Sequence, residues 1–517
     1  MPLPSTTTFD RLRTLVAIGD PHNRSERRIP EVFTGRELAT IPVGTAEDVT
    51  AAVAKARRAQ QEWAQRPIRQ RAAILERFRT LVFEHGDVVL DMLQAECGKS
   101  RASAQEELLD LALNARYYAQ RGPDLLAPER VSAPLPGVIK TVVRYQPKGV
   151  VGIIAPWNYP IALSVSDALP ALLAGNGVIV KPDSQTPYST LAAVELLYRA
   201  GIPRELLAVV PGPGAVVGSA LIEQCDYLMF TGSSATGRLL AEQCARRLIG
   251  CSAELGGKNP MIVTAGADLD IVAKAALRAC FSNAGQLCMA IERIYVEQSI
   301  AARFLELFGR YARGMVLGTA YDFTVDMGSL MSEEQLKTVS RHVDDAKAKG
   351  ATVIAGGNPR PDIGPLFYEP TVLTGVTDDM DCARNETFGP VVSVYPVRDV
   401  AEAVARANDS EFGLNASVWA ASAAEGEAIA ARIRCGTVNV GEGYGPAYAT
   451  IGAPMGGMGS SGLGRRHGPD GLLKYTEPQT ISTSRTIVAD ARFGVPEHIW
   501  RRALAPMVQF VQRIPGF

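Results

Sequence analysis

Cys288 and Glu254 are the two residues whose types and surroundings best suit catalytic chemistry. Cys288 ends the segment 281–288 (FSNAGQLC), and Glu254 begins the segment 254–260 (ELGGKNP). A thiolate beside a carboxylate base is an arrangement used in covalent catalysis. The structural alternatives are common: a cysteine in a glycine-containing loop is usually a small buried residue, and a glutamate before two glycines can simply end a helix at the surface.

A further site element lies upstream of both residues. Residues 156–160 (PWNYP) directly follow an apolar run that predicts a strand over 150–155. Ligands of α/β sheets bind beyond the carboxyl ends of such strands. This segment is therefore a candidate ligand contact.

Three glycine-rich segments are candidates for phosphate binding. Residues 230–237 (FTGSSATG) follow a predicted strand and lead into a helix, so backbone N–H groups and the Ser233 hydroxyl can hold a pyrophosphate. A structural turn explains this segment equally well when it is taken alone. Residues 457–462 (GMGSSG) follow no predicted strand, and residues 212–214 have their third glycine one place late. We interpret the last two as loops.

The elements that must position these residues form two α/β lobes that meet near residue 256. Residues 45–120 are predicted to be helical, with Thr45 and Asp48 as N-cap residues. From residue 149 onward, short apolar runs alternate with helical stretches, which predicts parallel sheets. The predicted strands are 150–155, 177–180, 207–210, 228–230, 261–263, 294–296, 353–355, 391–396 and 436–440.

Two segments lie outside this alternation. Residues 138–145 alternate as a strand or hairpin arm does. The tail from Val495 predicts a helix with one apolar side, broken by Pro506. We expect the tail to pack on this or a neighbouring subunit, with docking to a membrane surface as the alternative.

Composition excludes several functional classes. A net charge of −1 provides no basic field for nucleic acid, and no apolar run approaches the roughly 18 residues of a membrane helix. The N-terminus lacks the pattern of a secretory signal. The eight cysteines are scattered and the five histidines are isolated, so we expect reduced thiols, a cytoplasmic location and no metal site.

Five motifs taken in order resemble the aldehyde dehydrogenase family. They are PWNYP, FTGSSATG, ELGGKNP and FSNAGQLC, followed by residues 386–390 (ETFGP), and the likeness extends over about residues 31–483. Within the family, the likeness is closest to the NADP-linked succinate-semialdehyde dehydrogenases. The resemblance implies an α/β fold of two doubly wound lobes joined by a small bridging and oligomerisation element, and assembly into a homodimer or homotetramer.

The resemblance also implies a division of the chain into domains. The cofactor-binding domain comprises 1–130 and 148–256, and the catalytic domain comprises 257–474. The oligomerisation element and the C-terminal tail comprise 131–147 and 475–517.

Three catalytic roles follow from the resemblance. Cys288 attacks the aldehyde carbonyl, and the Asn158 amide and the Cys288 backbone N–H hold the oxyanion. Hydride then leaves for the nicotinamide, and Glu254 activates the water that hydrolyses the thioester.

The cofactor site follows in the same way. Lys181 is assigned to the adenosine ribose, Ser233 to the pyrophosphate and Glu386 to the nicotinamide ribose, with Phe388 packing beside it. The full set of cofactor residues is Trp157, Lys181, Ser184, Gly232, Ser233, Gly237, Leu255, Glu386 and Phe388.

One departure from the family pattern concerns the choice of cofactor. Many NAD-preferring relatives have a glutamate where this chain has Ser184, and a carboxylate there repels a 2′-phosphate. Serine removes that repulsion and Lys181 adds charge, which favours NADP. Asp183 returns a negative charge nearby, so NAD is the second candidate.

A second departure concerns the substrate, which is expected to be a small aldehyde. Well-known succinate-semialdehyde enzymes grip the distal carboxylate with two arginines, and the corresponding positions here are Ser166 and Ser282. We therefore expect a wider, largely neutral tunnel and weak binding of a semialdehyde. Besides these two serines, the expected tunnel residues are Tyr159, Leu163, Met289, Thr450 and Met455.

Two alternatives to a hydrolytic enzyme stay open. A CoA-acylating relative passes the thioester to a thiol, but such enzymes usually lack the base that Glu254 provides. A non-catalytic binding protein on the same fold is the other alternative, although Cys288, Glu254 and Asn158 together argue against it. Because position 290 is Ala290, the redox switch of some relatives, which needs a cysteine there, is absent.

Overall fold

A capping box begins the first long helix, as the sequence predicts. In the computed structural model, which describes residues 3–132, 139–484, 494–511 and 513, Thr45 Oγ1 accepts from the Asp48 N–H and Asp48 Oδ2 accepts from the Thr45 N–H. These two bonds satisfy N–H groups that a helix start leaves unpaired. The helices of this N-terminal region are Thr6–Arg13, Ala46–Gln65, Ile68–Glu84, Gly86–Cys97 and Arg101–Leu125.

A six-stranded sheet forms the first lobe and is parallel except at one edge. Its order is Gly462–Leu463, Gly250–Glu254, Tyr227–Thr231, Val150–Ile154, Gly177–Lys181 and Leu207–Val209, with the first strand antiparallel. The chain starts this sheet at Val150–Ile154, builds outward in one direction, and then returns to add Tyr227–Thr231 on the other side. The order therefore reverses between these two strands, which is where doubly wound sheets bind ligands.

A seven-stranded sheet forms the second lobe. Its order is Thr352–Ala355, Thr371–Thr374, Val391–Val397, Ile291–Glu297, Asn259–Val263, Asn415–Trp419 and Thr437–Val440, antiparallel only at the first strand. Its strands are almost wholly buried, as parallel strands covered on both faces by helices must be.

The other helices belong to the two lobes, except the last, which lies in the tail. They are Val165–Leu173, Pro187–Ala200, Ser219–Ile222, Ser234–Arg246, Leu269–Phe281, Gln298–Arg313, Glu333–Ala348, Asp381–Arg384, Val400–Asn408, Ala423–Ala430, Gly445–Ala449, Gly468–Leu473 and Glu497–Val511. Ser219–Ile222 is preceded by a π-helical turn, Gly214–Gly218. The predicted break at Pro506 is wrong, because Glu497–Val511 continues through that proline.

Two small antiparallel sheets complete the fold. Glu129–Val131, Ile139–Pro147 and Thr476–Ser484 form a three-stranded sheet, and Glu26–Pro30 pairs with Glu37–Pro42 as a hairpin. The three-stranded sheet joins parts of the predicted bridging element, of which 133–138, 485–493, 512 and 514–517 lie outside the described residues.

Candidate active site

A cavity of about 250 Å³ lies where the strand order of the six-stranded sheet reverses. Segments that follow Val150–Ile154 and Tyr227–Thr231 form one side, and Cys288 and Glu386 come from the second lobe. The cavity is lined by Pro156, Trp157, Asn158, Leu163, Thr231, Gly232, Ser233, Leu255, Gly256, Cys288, Glu386 and Phe388. The structure thus brings together nine of the residues that the sequence assigns to catalysis, cofactor and substrate.

A tight left-handed turn presents Cys288 to this cavity. Asn283 and Ala284 have φ values of 50° and 55°, and Gly285 follows with φ 71°. A left-handed conformation is unfavourable for residues with a Cβ, so neighbouring contacts must hold it. A Cβ on Gly285 would collide with the carbonyl oxygen of Gly389, which requires glycine at this position.

Side-chain amides hold the cysteine turn in place. Gln286 donates from Nε2 to the carbonyls of Asn283 (3.0 Å) and Ser329 (3.3 Å), and its Oε1 accepts from the Met331 N–H. Asn259 donates to the Cys288 carbonyl at 2.7 Å. The nucleophile is therefore carried by backbone that buried polar groups fix on both sides.

Asn158 is held beside the same turn by its own backbone and side chain. Its Nδ2 donates to the Gln286 carbonyl at 3.0 Å, and its carbonyl accepts from Lys99 Nζ at 2.7 Å and from Asn283 Nδ2 at 3.1 Å. Lys99 also forms a fully buried ion pair with Glu107. An amide nitrogen carries two hydrogens, so one remains for an oxygen in the cavity.

Glu254 ends its strand in a covered position. Glu254 pairs with Gly462 in the sheet, and the N–H of Leu255 donates to the Ser461 carbonyl. These two contacts place segment 457–462 over Glu254. The segment that spells G-x-G-x-x-G thus covers Glu254 and leads into no α-helix. Glu254 is 4% exposed, and its Oε1 has no hydrogen-bond partner among the described residues.

Burial sets the ionisation of both proposed reactants. It raises the pKa of Glu254 to about 7, against the opposing effect of the Arg466 and Lys474 charges. It also raises the pKa of the Cys288 thiol to about 12, and the Glu254 and Glu386 carboxylates add to the rise. The thiol is therefore protonated at neutral pH in the unliganded protein and needs a base to react.

A second buried ion pair anchors the loop that carries Glu386 and Phe388. Glu292 pairs with Lys258 and accepts the Thr387 and Phe388 N–H groups, at 3.0 Å to Oε2 and Oε1 respectively. Phe388 has a φ of 51° and packs edge-on against Trp157 with the ring centroids 5.5 Å apart.

Glu386 itself bonds to the backbone at the start of the second lobe. Its Oε1 accepts from the Gly257 N–H at 2.8 Å, and a Cβ on Gly256 would collide with its carboxylate. Burial raises the pKa of Glu386 to about 8.

Residues 230–237 form the strand, turn and helix start that the sequence predicts. Ser233 is the N-cap of the helix Ser234–Arg246 and, with Gly232, lines the cavity. Gly237 does not line the cavity, and a Cβ there would collide with Leu255, which does. Gly237 thus serves the close approach of helix and strand instead of contacting a ligand.

Lys181 and Ser184 lie away from Cys288, at the carboxyl end of another strand. Lys181 is 5% exposed, and burial lowers the pKa of its ammonium group. Ser184 lines a second cavity and donates to the Gly212 carbonyl at 3.1 Å. Gly212 and Pro213, from the segment that we interpreted as a loop, form part of that cavity's wall.

A sequence model described as "Aldehyde dehydrogenase family" matches residues 20–481. The chain belongs to the aldehyde dehydrogenase family. The chain is 68% identical over 516 residues, covering 100% of both chains, to a Mycolicibacterium smegmatis protein named "Putative succinate-semialdehyde dehydrogenase [NADP(+)]". It is 37% identical over 447 residues, 86% of this chain and 90% of the other, to "3-sulfolactaldehyde dehydrogenase" of Pseudomonas putida.

Solved structures confirm the aldehyde dehydrogenase fold. A structure described as an "E. coli NADP dependent enzyme" superposes with a TM-score of 0.87 at 33% identity, covering 92% of this chain and 99% of that one. An NAD+ complex of an aldehyde dehydrogenase from Bacillus cereus has a TM-score of 0.85 at 29% identity, covering 94% and 100%. The recognised family and the predicted α/β fold class are both confirmed.

The residues expected to line the tunnel fall into two groups. Tyr159, Leu163, Met289 and Met455 form a buried apolar cluster that packs against Cys288. The polar ones point elsewhere, as their hydrogen bonds show. Ser166 donates to the buried Asp110 carboxylate at 2.6 Å, and Thr450 is exposed and donates to the Pro446 carbonyl.

Ser282 belongs to a polar cluster that the sequence did not reveal. Its Oγ lies 2.7 Å from the Tyr444 hydroxyl, which donates to Glu106 at 2.9 Å. Arg278, one helical turn before Ser282, donates to the same carboxylate at 2.9 Å. Only the helical periodicity connecting 278 to 282 could have indicated this arginine from the sequence.

Buried charges behind Glu254 were also missed. Arg466 donates to the Ala162 carbonyl at 2.9 Å and lies 3.3 Å from Asp167, and both side chains are almost fully buried. Lys474 contacts the Met229 sulfur at 3.3 Å. The partner of Arg466, Asp167, lies 299 positions earlier in the chain, and such a contact has no signal in one sequence.

No metal or membrane feature appears in the part of the chain that the structure describes. There, no group of three or more His, Cys, Asp or Glu side chains could hold a metal ion. No described helix is both long enough and apolar enough to cross a membrane.

Proposed function

We propose that this aldehyde dehydrogenase oxidises a small aldehyde to the carboxylic acid by covalent catalysis at Cys288, with NADP as the preferred cofactor. The observation that carries the proposal is the presence of Cys288 and the Asn158 amide in one cavity, with the Glu254 carboxylate close enough to raise the pKa of the thiol and its Oε1 without a hydrogen-bond partner among the described residues. The names of the Mycolicibacterium and Escherichia relatives support the choice of NADP.

The residues of the site suit a nicotinamide cofactor. The helix Ser234–Arg246 begins at the cavity wall with Ser233 as its N-cap, and a helix N-terminus suits a pyrophosphate. Glu386 offers a carboxylate for ribose hydroxyls, and Lys181 supplies a cation near the second cavity. When bound, the nicotinamide accepts a hydride from the substrate.

Each step of the reaction assigns a task to a residue of this chain. Cys288 Sγ bonds to the carbonyl carbon and loses its proton, for which the ionised form of Glu254 is the acceptor. The free hydrogen on Asn158 Nδ2 and the Cys288 N–H stabilise the oxyanion, an effect of roughly 10²–10³ in rate per donor. After oxidation, Glu254 releases that proton to solvent and then removes one from water, which attacks the thioester; the acid leaves, and the proton on Glu254 passes to the Cys288 sulfur and restores the thiol.

The aldehyde is the least constrained part of the proposal. The named relatives act on aldehydes with a distal anion, a carboxylate or a sulfonate. In this chain the Ser166 hydroxyl donates to Asp110. The guanidinium of Arg278, which belongs to the polar cluster of Ser282, donates to Glu106. We therefore propose that succinate semialdehyde is accepted, but with weaker binding than two free arginines would give.

The catalytic assignments are tested by two substitutions. We expect Cys288→Ala to abolish oxidation while cofactor binding, measured by calorimetry, stays nearly unchanged. We expect Glu254→Gln to slow both the burst of reduced cofactor in stopped flow and the steady turnover, because the same carboxylate is proposed to accept the thiol proton and then the water proton. Steady turnover in Glu254→Gln would remove Glu254 from the role of base.

A substrate panel tests the aldehyde and the alternatives. We expect pentanal to exceed succinate semialdehyde in kcat/KM. The reverse order would make Arg278 the first candidate for the missing anchor. Addition of CoA separates the two reaction types, because an acylating enzyme forms acyl-CoA and a hydrolytic enzyme does not. A protein that binds cofactor but turns over no aldehyde would be the non-catalytic alternative.

We further propose the domain division stated from the sequence and a cytoplasmic homodimer or homotetramer. The separate sheets on either side of residue 256 support the division. One strand, Gly462–Leu463, crosses from the proposed catalytic domain to pair with Glu254.

A further inference from the structure

The second cavity, about 380 Å³, lies between the N-terminal hairpin and the carboxyl edge of the six-stranded sheet. Ser184 and Gly212 line it from the sheet, and Arg27 and Arg28 line it from the hairpin strand Glu26–Pro30. Lys181 ends the strand that leads to Ser184. A segment remote in sequence from every recognised motif therefore reaches the place assigned to the adenosine ribose.

Arg27 differs from its neighbours in having no partner. Arg13 is paired with Glu26, and Arg28 lies 3.1 Å from Glu37 and donates to the Gly35 carbonyl at 3.0 Å. Among the described residues, Arg27 has neither a hydrogen-bond acceptor nor a carboxylate within ion-pair distance, and it is exposed. The charge of Arg27 also lowers the pKa of Lys181, so the two cations are close enough to repel each other.

The other groups at this place cannot bind a dianion by themselves. Ser184 already donates its hydroxyl hydrogen to the Gly212 carbonyl. Asp183, which accepts from the Gln185 N–H at 2.9 Å, places a negative charge close enough to Lys181 to raise its pKa and so opposes anion binding there. With Glu26 neutralised by Arg13, the second positive charge that a phosphate dianion needs must come from Arg27.

We propose that Arg27 binds the 2′-phosphate of NADP together with Lys181, and so determines the preference for NADP over NAD. This inference rests on the proposed function. A guanidinium offers paired N–H donors that match the oxygens of a phosphate, and it stays charged at every relevant pH. NAD has a hydroxyl at this position and gains little from the extra cation.

The test compares Arg27→Gln with the matched control Arg28→Gln, which removes the neighbouring arginine that already has partners. Calorimetry measures binding of 2′,5′-ADP and of 5′-AMP to each apoprotein. Charged hydrogen bonds contribute about 1.5–3 kcal/mol, so we expect Arg27→Gln to weaken 2′,5′-ADP binding roughly 10- to 100-fold and 5′-AMP binding less than about 2-fold. We expect Arg28→Gln to leave both within about 2-fold, and Arg27→Lys to restore part of the loss.

The possible results separate this inference from the function on which it rests. Unchanged 2′,5′-ADP binding in Arg27→Gln, with wild type still favouring 2′,5′-ADP over 5′-AMP, would overturn the role of Arg27 alone. An equal loss in Arg28→Gln would also overturn it, because the effect would then come from the general charge of the hairpin. If wild type binds both ligands equally, the NADP preference itself is wrong.

Discussion

At the residue scale, the site resolves a conflict between burial and reactivity. Cys288 needs to lose a proton to attack, yet its surroundings stabilise the neutral thiol and raise its pKa to about 12. Glu254 is the nearby group whose pKa, about 7, lets it exist in both forms at physiological pH. Burial therefore keeps the Cys288 thiol protonated, and it also raises the pKa of Glu254, the carboxylate proposed to activate that thiol.

This ionisation predicts the acid limb of the pH profile. Glu254 acts as a base only when ionised, and burial shifts its pKa upward, so the active fraction is small below pH 7 and approaches one above it. We expect thioester hydrolysis, followed in single-turnover experiments, to fall about tenfold per pH unit below an apparent pKa of about 7. Far-UV circular dichroism over the same range controls for unfolding, and a rate independent of pH from 5.5 to 8.5 would contradict the assignment.

Sequence motifs located the catalytic residues but not their hydrogen-bond partners. Cys288, Asn158 and Glu254 each belong to a short motif of the family resemblance, and all three could be proposed in advance. Ser166 could not, because its hydroxyl is committed to Asp110, 56 positions earlier in the chain. A residue's availability to a ligand depends on such long-range contacts, which one sequence does not reveal.

At the element scale, two buried ion pairs fix loops on opposite sides of the cavity. Lys99 and Glu107 hold the segment around Asn158, and Lys258 and Glu292 hold the loop containing Glu386 and Phe388. In the first pair Lys99 donates to a backbone carbonyl of its loop, and in the second Glu292 accepts from backbone N–H groups of its loop. Buried charges are expensive without such partners, so each loop has one strongly favoured position.

Glu292→Gln should therefore both destabilise the protein and loosen the cofactor loop. Removing one member of a buried pair typically costs about 3–5 kcal/mol, since the other charge is left uncompensated. We expect a lower Tm by calorimetry and weaker NADP binding than in wild type. The matched control Glu333→Gln removes an exposed helical pair with Lys337, which should contribute no more than about 0.5 kcal/mol. Equal Tm values in the two variants would contradict a structural role for Glu292.

Local signals predicted the regular elements well and the irregular ones poorly. The capping residues Thr45 and Asp48 gave the start of a helix, because capping involves groups three residues apart. Pro506 misled, since its effect on a helix depends on packing around it. The strand Gly462–Leu463 was missed because its pairing with Glu254 is a contact between distant parts of the chain.

At the scale of the whole molecule, the active site is a product of two lobes meeting. The six-stranded sheet contributes residues that follow its carboxyl edge, whereas Cys288 and Glu386 precede the strands Ile291–Glu297 and Val391–Val397 of the other sheet. Neither sheet alone places a nucleophile beside a phosphate-binding helix. The alternation of strands and helices predicted both sheets, but their facing edges follow from packing that no local pattern encodes.

The three-stranded sheet carries the prediction about assembly. Thr476–Ser484 is its edge strand, and eight of its nine residues are exposed, including Ile481 at 40% exposure. A long, exposed edge strand can pair with another chain, and proteins usually cover or protect such edges.

We expect wild type to sediment as a dimer or tetramer of the 55.3 kDa chain at micromolar concentration, and Ile481→Lys to shift it towards monomer. The control Ile271→Lys changes an isoleucine that is 56% exposed on a helix of the other lobe, and should leave assembly unchanged. A monomeric wild type would contradict assembly altogether, whereas an unaffected Ile481→Lys oligomer would place the interface elsewhere.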